Sequence, residues 1–102
     1  MTTILETIQQ DVHDNKVMLY MKGVPEAPQC GFSAQVVSIL KSYNVPFQAK
    51  NVLADPELRR GIKEYASWPT VPQLYINGEF VGGCDIVTEL HTTNQLAAML
   101  GK

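Results

Sequence analysis

The order of the apolar segments constrains the fold of this chain more than any other feature. Val17–Met21 is a continuous apolar run, as expected of a strand covered on both faces. Residues 46–52 form a second, weaker strand pattern, and two further patterns flank Asn77-Gly78, the strongest short hairpin signal. Helical patterns separate the first strands. Because connections are short and crossovers are right-handed, only a few arrangements of these strands and helices are possible. We expect an α/β fold with a central sheet of four strands, the first two parallel and the last two antiparallel, and helices on both faces.

Helical patterns occupy much of the remaining chain. Thr3-Ile4-Leu5-Glu6 has the spacing of a capping box. Asp55-Pro56-Glu57 places a capping acid, a proline and a second acid at the start of another helix. The segment 22–29 is rich in glycine and proline and predicts a loop. The predicted helices cover residues 4–15, 31–43, 55–66 and 86–100, the last with a candidate break near 92–94, and the predicted hairpin strands cover 73–76 and 79–81.

Length, composition and charge narrow the class of protein. The 102 residues, 45% of them hydrophobic, predict one domain over residues 1–102 with a core that needs no structural metal. The net charge is −2 without a basic block, so we expect no nucleic-acid partner, and no apolar run is long enough to suggest a membrane span. Two cysteines favour a reducing compartment. Since the N-terminus lacks the pattern of a signal or transit peptide, we expect a bacterial cytoplasmic protein or a processed organellar matrix form.

Cys30-Gly31-Phe32-Ser33 carries the strongest chemical signal. Two cysteines separated by two residues can open and close a disulfide within one chain. Here the second position is Ser33, whose hydroxyl cannot join a disulfide. Cys30 must therefore complete its chemistry with a sulfur from Cys84, from a second protein or from a small thiol such as glutathione.

The position of Cys30 favours a reactive thiolate. Cys30 lies at the predicted start of a helix, where unpaired N–H groups and the helix dipole stabilise an anion. Lys22, on the loop entering the site, adds a positive charge. The alternative is that Cys30 is a small buried hydrophobe, but its flanking residues are small or polar and argue for exposure.

Trp68-Pro69-Thr70-Val71-Pro72 precedes the hairpin and has two interpretations. Pro72 cannot donate to a ladder and belongs at a strand start or in a special turn. Most X–Pro bonds are trans, whereas a cis bond would turn the backbone groups of Val71 outward toward a peptide-like ligand. Trp68 by itself is more typical of a core or lid aromatic residue than of a cofactor contact.

Gly82-Gly83-Cys84-Asp85 opens the last predicted helix. One interpretation is a glycine turn with Asp85 as the N-cap. The other is a seat for a small zwitterion, with backbone amides for its carboxylate and Asp85 for its ammonium group, and with Cys84 close to the ligand as a bystander. His13 and His91 have no cysteine at ligand spacing, so neither supports a zinc site.

Taken together, these motifs resemble the glutaredoxin family, and the Cys30-Gly31-Phe32-Ser33 motif resembles its monothiol, single-domain branch. The resemblance implies a thioredoxin-like fold and a cis bond before Pro72. Any one motif is weak, but the set is specific because the motifs occur in order and in register along nearly the whole chain. The matching segments are Met21-Lys22-Gly23, Pro28-Gln29-Cys30-Gly31-Phe32-Ser33, Trp68-Pro69-Thr70-Val71-Pro72 and Gly82-Gly83-Cys84-Asp85.

The resemblance also implies a glutathione site. In similar proteins a lysine and an arginine meet the glycyl carboxylate, the residue before a cis-proline pairs with the peptide backbone, and a Gly-Cys-Asp turn receives the γ-glutamyl end. The matching residues here are Lys22, Arg59, Val71, Pro72, Gly83, Cys84 and Asp85. Arg60 lies beside Arg59 and leaves the choice of arginine open.

The resemblance implies two candidate functions. The first is a homodimer around one [2Fe-2S] cluster, ligated by Cys30 of each chain and by two glutathione thiols, which delivers clusters to apo iron–sulfur proteins and serves iron homeostasis. The second is a glutathione-dependent thiol–disulfide oxidoreductase in which Cys30 removes glutathione from mixed disulfides. The segment 24–28 resembles the extended loop of the cluster-binding branch and favours the first. Whether a BolA-type protein replaces one protomer stays open.

Overall fold

The computed structural model describes residues 3–102, and its elements follow the predicted order. The helices are α1 Ile4–Asp14, α2 Gly31–Ser42, α3 Pro56–Ala66, α4 Cys84–Thr92 and α5 Gln95–Met99, with a 3₁₀ turn at Val52–Ala54. The strands are β1 Val17–Met21, β2 Gly23–Val24, β3 Ala27–Pro28, β4 Gln48–Asn51, β5 Gln73–Ile76 and β6 Glu79–Gly82.

A four-stranded sheet in the order β4-β1-β5-β6 forms the centre of the molecule. β1 runs parallel to β4 and antiparallel to β5, and β6 completes the hairpin with β5. The predicted mixed sheet is therefore confirmed. Every residue of β1 is buried, as expected for an inner strand with helices on both faces.

Alternate side chains of β1 enter two different cores. Leu19 packs in a cluster with residues of α2, α4 and α5, whereas Tyr20 packs with residues of α1 and α3. This alternation follows from the period of two in a strand. The end of β1 and the starts of α2 and α4 meet at one end of the sheet, where the candidate site lies.

The segment predicted as a plain loop, 22–29, contains a small antiparallel ribbon. Gly23 pairs with Pro28 and Val24 pairs with Ala27. Gly23 has φ +89°, and a Cβ there would lie 2.6 Å from the backbone nitrogen of Gln29, so only glycine fits this close approach. The glycine and proline content correctly predicted an irregular segment but gave no sign of the pairing between β2 and β3.

The remaining helix predictions hold with small changes. The capping box at Thr3 is present, and Asp55 accepts N–H bonds at the start of α3. The last helical segment begins at Cys84, earlier than predicted, because Gly83 is the N-cap and Asp85 lies inside the first turn. The break occurs at Thr93 and Asn94, the latter with φ +64°. In the described part of the chain, no helix has the length and apolar character required to cross a membrane.

Candidate functional site

An open groove of about 470 Å³ lies at the end of the sheet at which α2 and α4 begin. Its volume falls within the range of small-molecule sites, roughly 300–1,000 Å³. The sequence-predicted site residues all line it, although they come from separate segments of the chain. The lining residues are Lys22, Cys30, Phe32, Arg59, Lys63, Trp68, Pro69, Thr70, Val71, Pro72, Gly83, Cys84, Asp85 and Ile86.

Cys30 is the N-cap of α2 and keeps an extended backbone, with φ −149° and ψ 135°. Its side chain is partly exposed, so a reaction partner can reach the sulfur. The pKa of Cys30 is lowered mainly by the backbone N–H of Ser33, and partial burial opposes this effect. The N–H of Phe32, the charge of Lys22 and the Ser33 hydroxyl lower the same pKa further. Cys30 is therefore an accessible thiol with enhanced thiolate character.

Three cations face the groove. Lys22 and Arg59 were expected there, and Arg60 is absent from the lining, which favours Arg59 at the open choice between the two arginines. Lys63 was missed by sequence reasoning, although it lies four residues after Arg59 and hence on the same helix face. The groove is therefore suited to a ligand that carries carboxylates.

The Val71–Pro72 peptide bond is cis, as the resemblance implies. Gly83 lies against this segment, and a Cβ at Gly83 would come within 3.2 Å of the Pro72 carbonyl oxygen. Trp68 packs its ring on Phe80, with centroids 5.5 Å apart. Trp68 thus lines the groove and supports the hairpin at the same time.

The start of α4 forms a further part of the groove lining. Asp85 is exposed in the first helical turn, so its carboxylate can meet a ligand cation. Cys84 is only 8% exposed and belongs to the hydrophobic core. Its sulfur lies 4.0 Å from the Thr88 hydroxyl. Cys84 therefore lines the groove while it packs as part of the hydrophobic core.

Phe32 is another lining residue to which sequence reasoning gave no role. Its side chain is 61% exposed and lines the groove next to the thiol. A phenylalanine at the second position of a helix start gave a signal for this, because the core-facing positions of α2 begin only at Ser33 and Val36.

Comparison with solved structures defines the class of fold first. A buckwheat glutaredoxin, solved in complex with glutathione, superposes with a TM-score of 0.86 at 25% sequence identity, covering 96% of this chain and 87% of that one. The chain therefore has the thioredoxin-like fold of the glutaredoxins.

Sequence comparison then identifies the family. The Glutaredoxin family model matches residues 17–81. A monothiol glutaredoxin of Synechocystis is 57% identical over 93 residues, which is 91% of this chain and 87% of that protein. The mitochondrial monothiol glutaredoxin-S15 of Arabidopsis thaliana is 48% identical over 96% of this chain, which spans only 58% of the plant protein's length. The chain belongs to the glutaredoxin family, in its monothiol branch.

The monothiol relatives come from several compartments. They include bacterial, mitochondrial and chloroplastic proteins. Family membership alone therefore leaves the compartment of this chain open.

Proposed function

We propose that this chain carries iron–sulfur clusters: it binds glutathione in the groove and, as a homodimer, holds one [2Fe-2S] cluster that it passes to apo iron–sulfur proteins. The observation that carries the proposal is the accessible thiol of Cys30, with its lowered pKa, in a groove lined by the cations Lys22 and Arg59 and by the carboxylate of Asp85. Residues 1–102 would act as one glutaredoxin domain, and the cluster would be cargo.

The charges of the groove support glutathione as the ligand. Glutathione has two carboxylates and one ammonium group, and the groove offers Lys22 and Arg59 to the glycyl carboxylate and Asp85 to the ammonium group. The backbone of Val71, before cis-Pro72, would pair with the peptide portion. The amides at Gly83 and Cys84, at the start of α4, would receive the γ-glutamyl carboxylate. The buckwheat glutaredoxin solved with glutathione supports glutathione as the ligand of the groove.

The supply of thiolates supports a cluster shared between two chains. A [2Fe-2S] cluster takes four thiolate ligands, and two copies of Cys30 with two glutathione thiols provide that number. In residues 3–102 no three His, Cys, Asp or Glu side chains gather as a metal site, so one chain would need these outside ligands. Cys84 lies in the core and would stay outside the ligand set. Because two ligands are held non-covalently, the cluster would be releasable.

The ribbon β2–β3 favours the carrier over a redox enzyme. It extends the chain between β1 and Cys30 and pairs with itself rather than collapsing into a short turn.

Proposed partners are apo iron–sulfur proteins and a BolA-type protein in place of one protomer, in service of iron homeostasis. We propose that the protein has no nucleic-acid or membrane partner. We propose a bacterial cytoplasm or an organellar matrix as its location.

Anaerobic reconstitution with iron, sulfide and glutathione tests this function. The wild-type protein should gain visible charge-transfer absorption and sediment as a dimer, and chelation of the iron should return it to a monomer. Cys30→Ser, or omission of glutathione, should abolish the absorption. Cys84→Ser is the matched cysteine control and should keep most of it. Full cluster content in Cys30→Ser, or loss of the cluster in Cys84→Ser, would reassign the ligand.

The lowered pKa of Cys30 favours one second function, removal of glutathione from protein mixed disulfides. The Cys30 thiolate would attack the glutathionyl sulfur, so that a Cys30–glutathione disulfide forms and the protein thiolate leaves. A glutathione thiolate would then attack the same glutathionyl sulfur, releasing oxidised glutathione and restoring the Cys30 thiolate.

A glutathionylated peptide with excess glutathione, coupled to glutathione reductase, measures this activity. Turnover in the wild-type protein that is lost in Cys30→Ser, together with failure of reconstitution, would make the oxidoreductase the main function. Slow turnover with stable cluster loading would support the carrier.

A further inference from the structure

Asn51 connects the end of β4 to the Lys22–Gly23 segment, which reaches the groove through Lys22, although Asn51 itself does not line the groove. It is the last residue of β4 and lies beside Met21 in the parallel ladder with β1. Its side-chain oxygen accepts the N–H of Leu53 at 2.9 Å, which caps the 3₁₀ turn. The same oxygen accepts the N–H of Gly23, also at 2.9 Å. One acceptor therefore ties the start of the ribbon to the end of β4.

The backbone around Lys22 is fixed from three directions. The N–H of Lys22 donates to the fully buried hydroxyl of Ser33 at 3.1 Å. Its carbonyl accepts the N–H of Gln29 at 2.9 Å. The next N–H, that of Gly23, goes to Asn51. Since Lys22 has left the ladder of β1, these bonds take over the role of strand pairing in holding its backbone.

The hydrogen bonds use only one atom of the Asn51 side chain. Both contacts go to its oxygen, and its amide nitrogen donates to no partner within residues 3–102. Aspartate has the same shape and also offers an acceptor oxygen, so it would keep both bonds. Asparagine at a turn usually serves to cap that turn through its own side chain. Capping of the 3₁₀ turn alone would not require the second hydrogen bond, to Gly23.

We propose that Asn51 is a positioning residue that acts through Lys22: its side-chain oxygen holds the Lys22–Gly23 backbone so that the Lys22 ammonium faces the ligand carboxylate. The inference rests on the proposed glutathione site. Arg59 reaches the same groove from α3 and shares none of these hydrogen bonds. Lys22 should therefore depend on Asn51, and Arg59 should not.

A double-mutant cycle on glutathione affinity, measured by calorimetry on the full chain, separates positioning from a general loss of stability. Asn51→Ala should weaken binding about three- to tenfold, using about 1.4 kcal/mol per factor of ten. Lys22→Gln should cost much less in the Asn51→Ala background than in the wild type. Arg59→Gln should cost the same in both. Additive costs for Lys22→Gln, or equal coupling to both cations, would overturn the proposal.

Two further variants keep the test independent of folding defects. Asn51→Asp should retain slow hydrogen exchange at the Gly23 and Leu53 amides, and it should retain the coupling to Lys22, whatever its added charge does to the absolute affinity. Ser33→Ala removes the partner of the Lys22 N–H and should show the same selective coupling if Asn51→Ala does not fold. Loss of amide protection in Asn51→Asp would overturn the assignment of the oxygen. Absence of glutathione binding in the wild type would instead refute the proposed function.

Discussion

The two cysteines stand at the starts of two helices that open onto the same groove, but their surroundings differ. Cys30 is the N-cap of α2, partly exposed and near the charge of Lys22. Cys84 is the first residue of α4, follows the N-cap Gly83 and is 8% exposed. A shift of one position relative to the helix start thus separates a thiol that faces solvent from one that packs in the core.

This offset assigns different tasks to the two helix starts. At α2, the backbone N–H groups of Ser33 and Phe32 lower the pKa of Cys30, so this helix start favours the protein's own thiolate. At α4, the capping residue is glycine and has no side chain to offer, so the first amides stay available for an external carboxylate. A helix start can therefore serve either a reactive group of the protein or a ligand, depending on the capping residue.

Alkylation of the thiols should show the largest difference between the two helix starts. Iodoacetamide should modify Cys30 about a hundredfold faster than Cys84 in the native protein, since burial protects Cys84 until the structure opens. Peptide mass spectrometry after short exposures measures both rates, and denatured protein, in which the rates should converge, is the control. Comparable rates in the native state would break the contrast.

Glutathione affinity should show the next largest effect and sharpen the role of the α4 start. Arg59→Gln and Asp85→Asn each remove a charge facing the ligand, and each should weaken binding roughly three- to thirtyfold, since charge-assisted hydrogen bonds are partly screened in an open groove. Arg60→Gln is the matched control, because Arg60 does not line the groove. A damaging Arg60→Gln with a silent Arg59→Gln would reverse the assignment.

The pH dependence of Cys30 alkylation should sharpen the role of the α2 start. Because the native pKa of Cys30 lies below the ordinary thiol value, the rate should rise with pH and reach its plateau at lower pH than for a free cysteine peptide. Lys22→Gln removes one cation and should move the midpoint upward, lowering the rate at pH 6.5 by about two- to threefold. A downward or absent shift would show that Lys22 does not act on the thiolate.

The smallest effect is expected from Cys84→Ala. If α4 offers only backbone amides, deletion of the Cys84 sulfur should change glutathione affinity by less than about twofold, below 0.5 kcal/mol. Calorimetry on a variant with a confirmed native circular dichroism spectrum measures it. A tenfold loss of glutathione affinity would mean that the buried Cys84 thiol contributes to the binding site at the start of α4.

Most of the local structure was predictable from short-range signals. The capping box at Thr3, the start of α3 at Asp55 and the hairpin turn at Asn77-Gly78 were all expected and are present. Each depends on contacts between residues close in the chain, and these contacts leave a pattern in the sequence. The ribbon at Gly23 was missed because its strands are only two residues long, too short for a period to appear.

The candidate site was predictable only in part. Motif order, read through the family resemblance, selected the residues that line the groove, including Cys30 and Asp85. It left out Lys63. The spacing of Lys63 from Arg59 predicts that both lie on one helix face, but no motif of the family resemblance includes Lys63. It also left out Asn51, whose hydrogen bond to Gly23 spans 28 residues along the chain.

The sequence by itself determined the main helices and the four strands of the central sheet, their order and the family of this protein, because caps, turns and motifs act within a few residues. Tertiary structure alone decided that Lys63 joins the cations of the groove, that Cys84 is buried in the core, and that Asn51 holds the backbone beside Lys22. These outcomes depend on how β1, α3 and α4 pack around a shared core, and such packing is set by long-range contacts that no local pattern encodes.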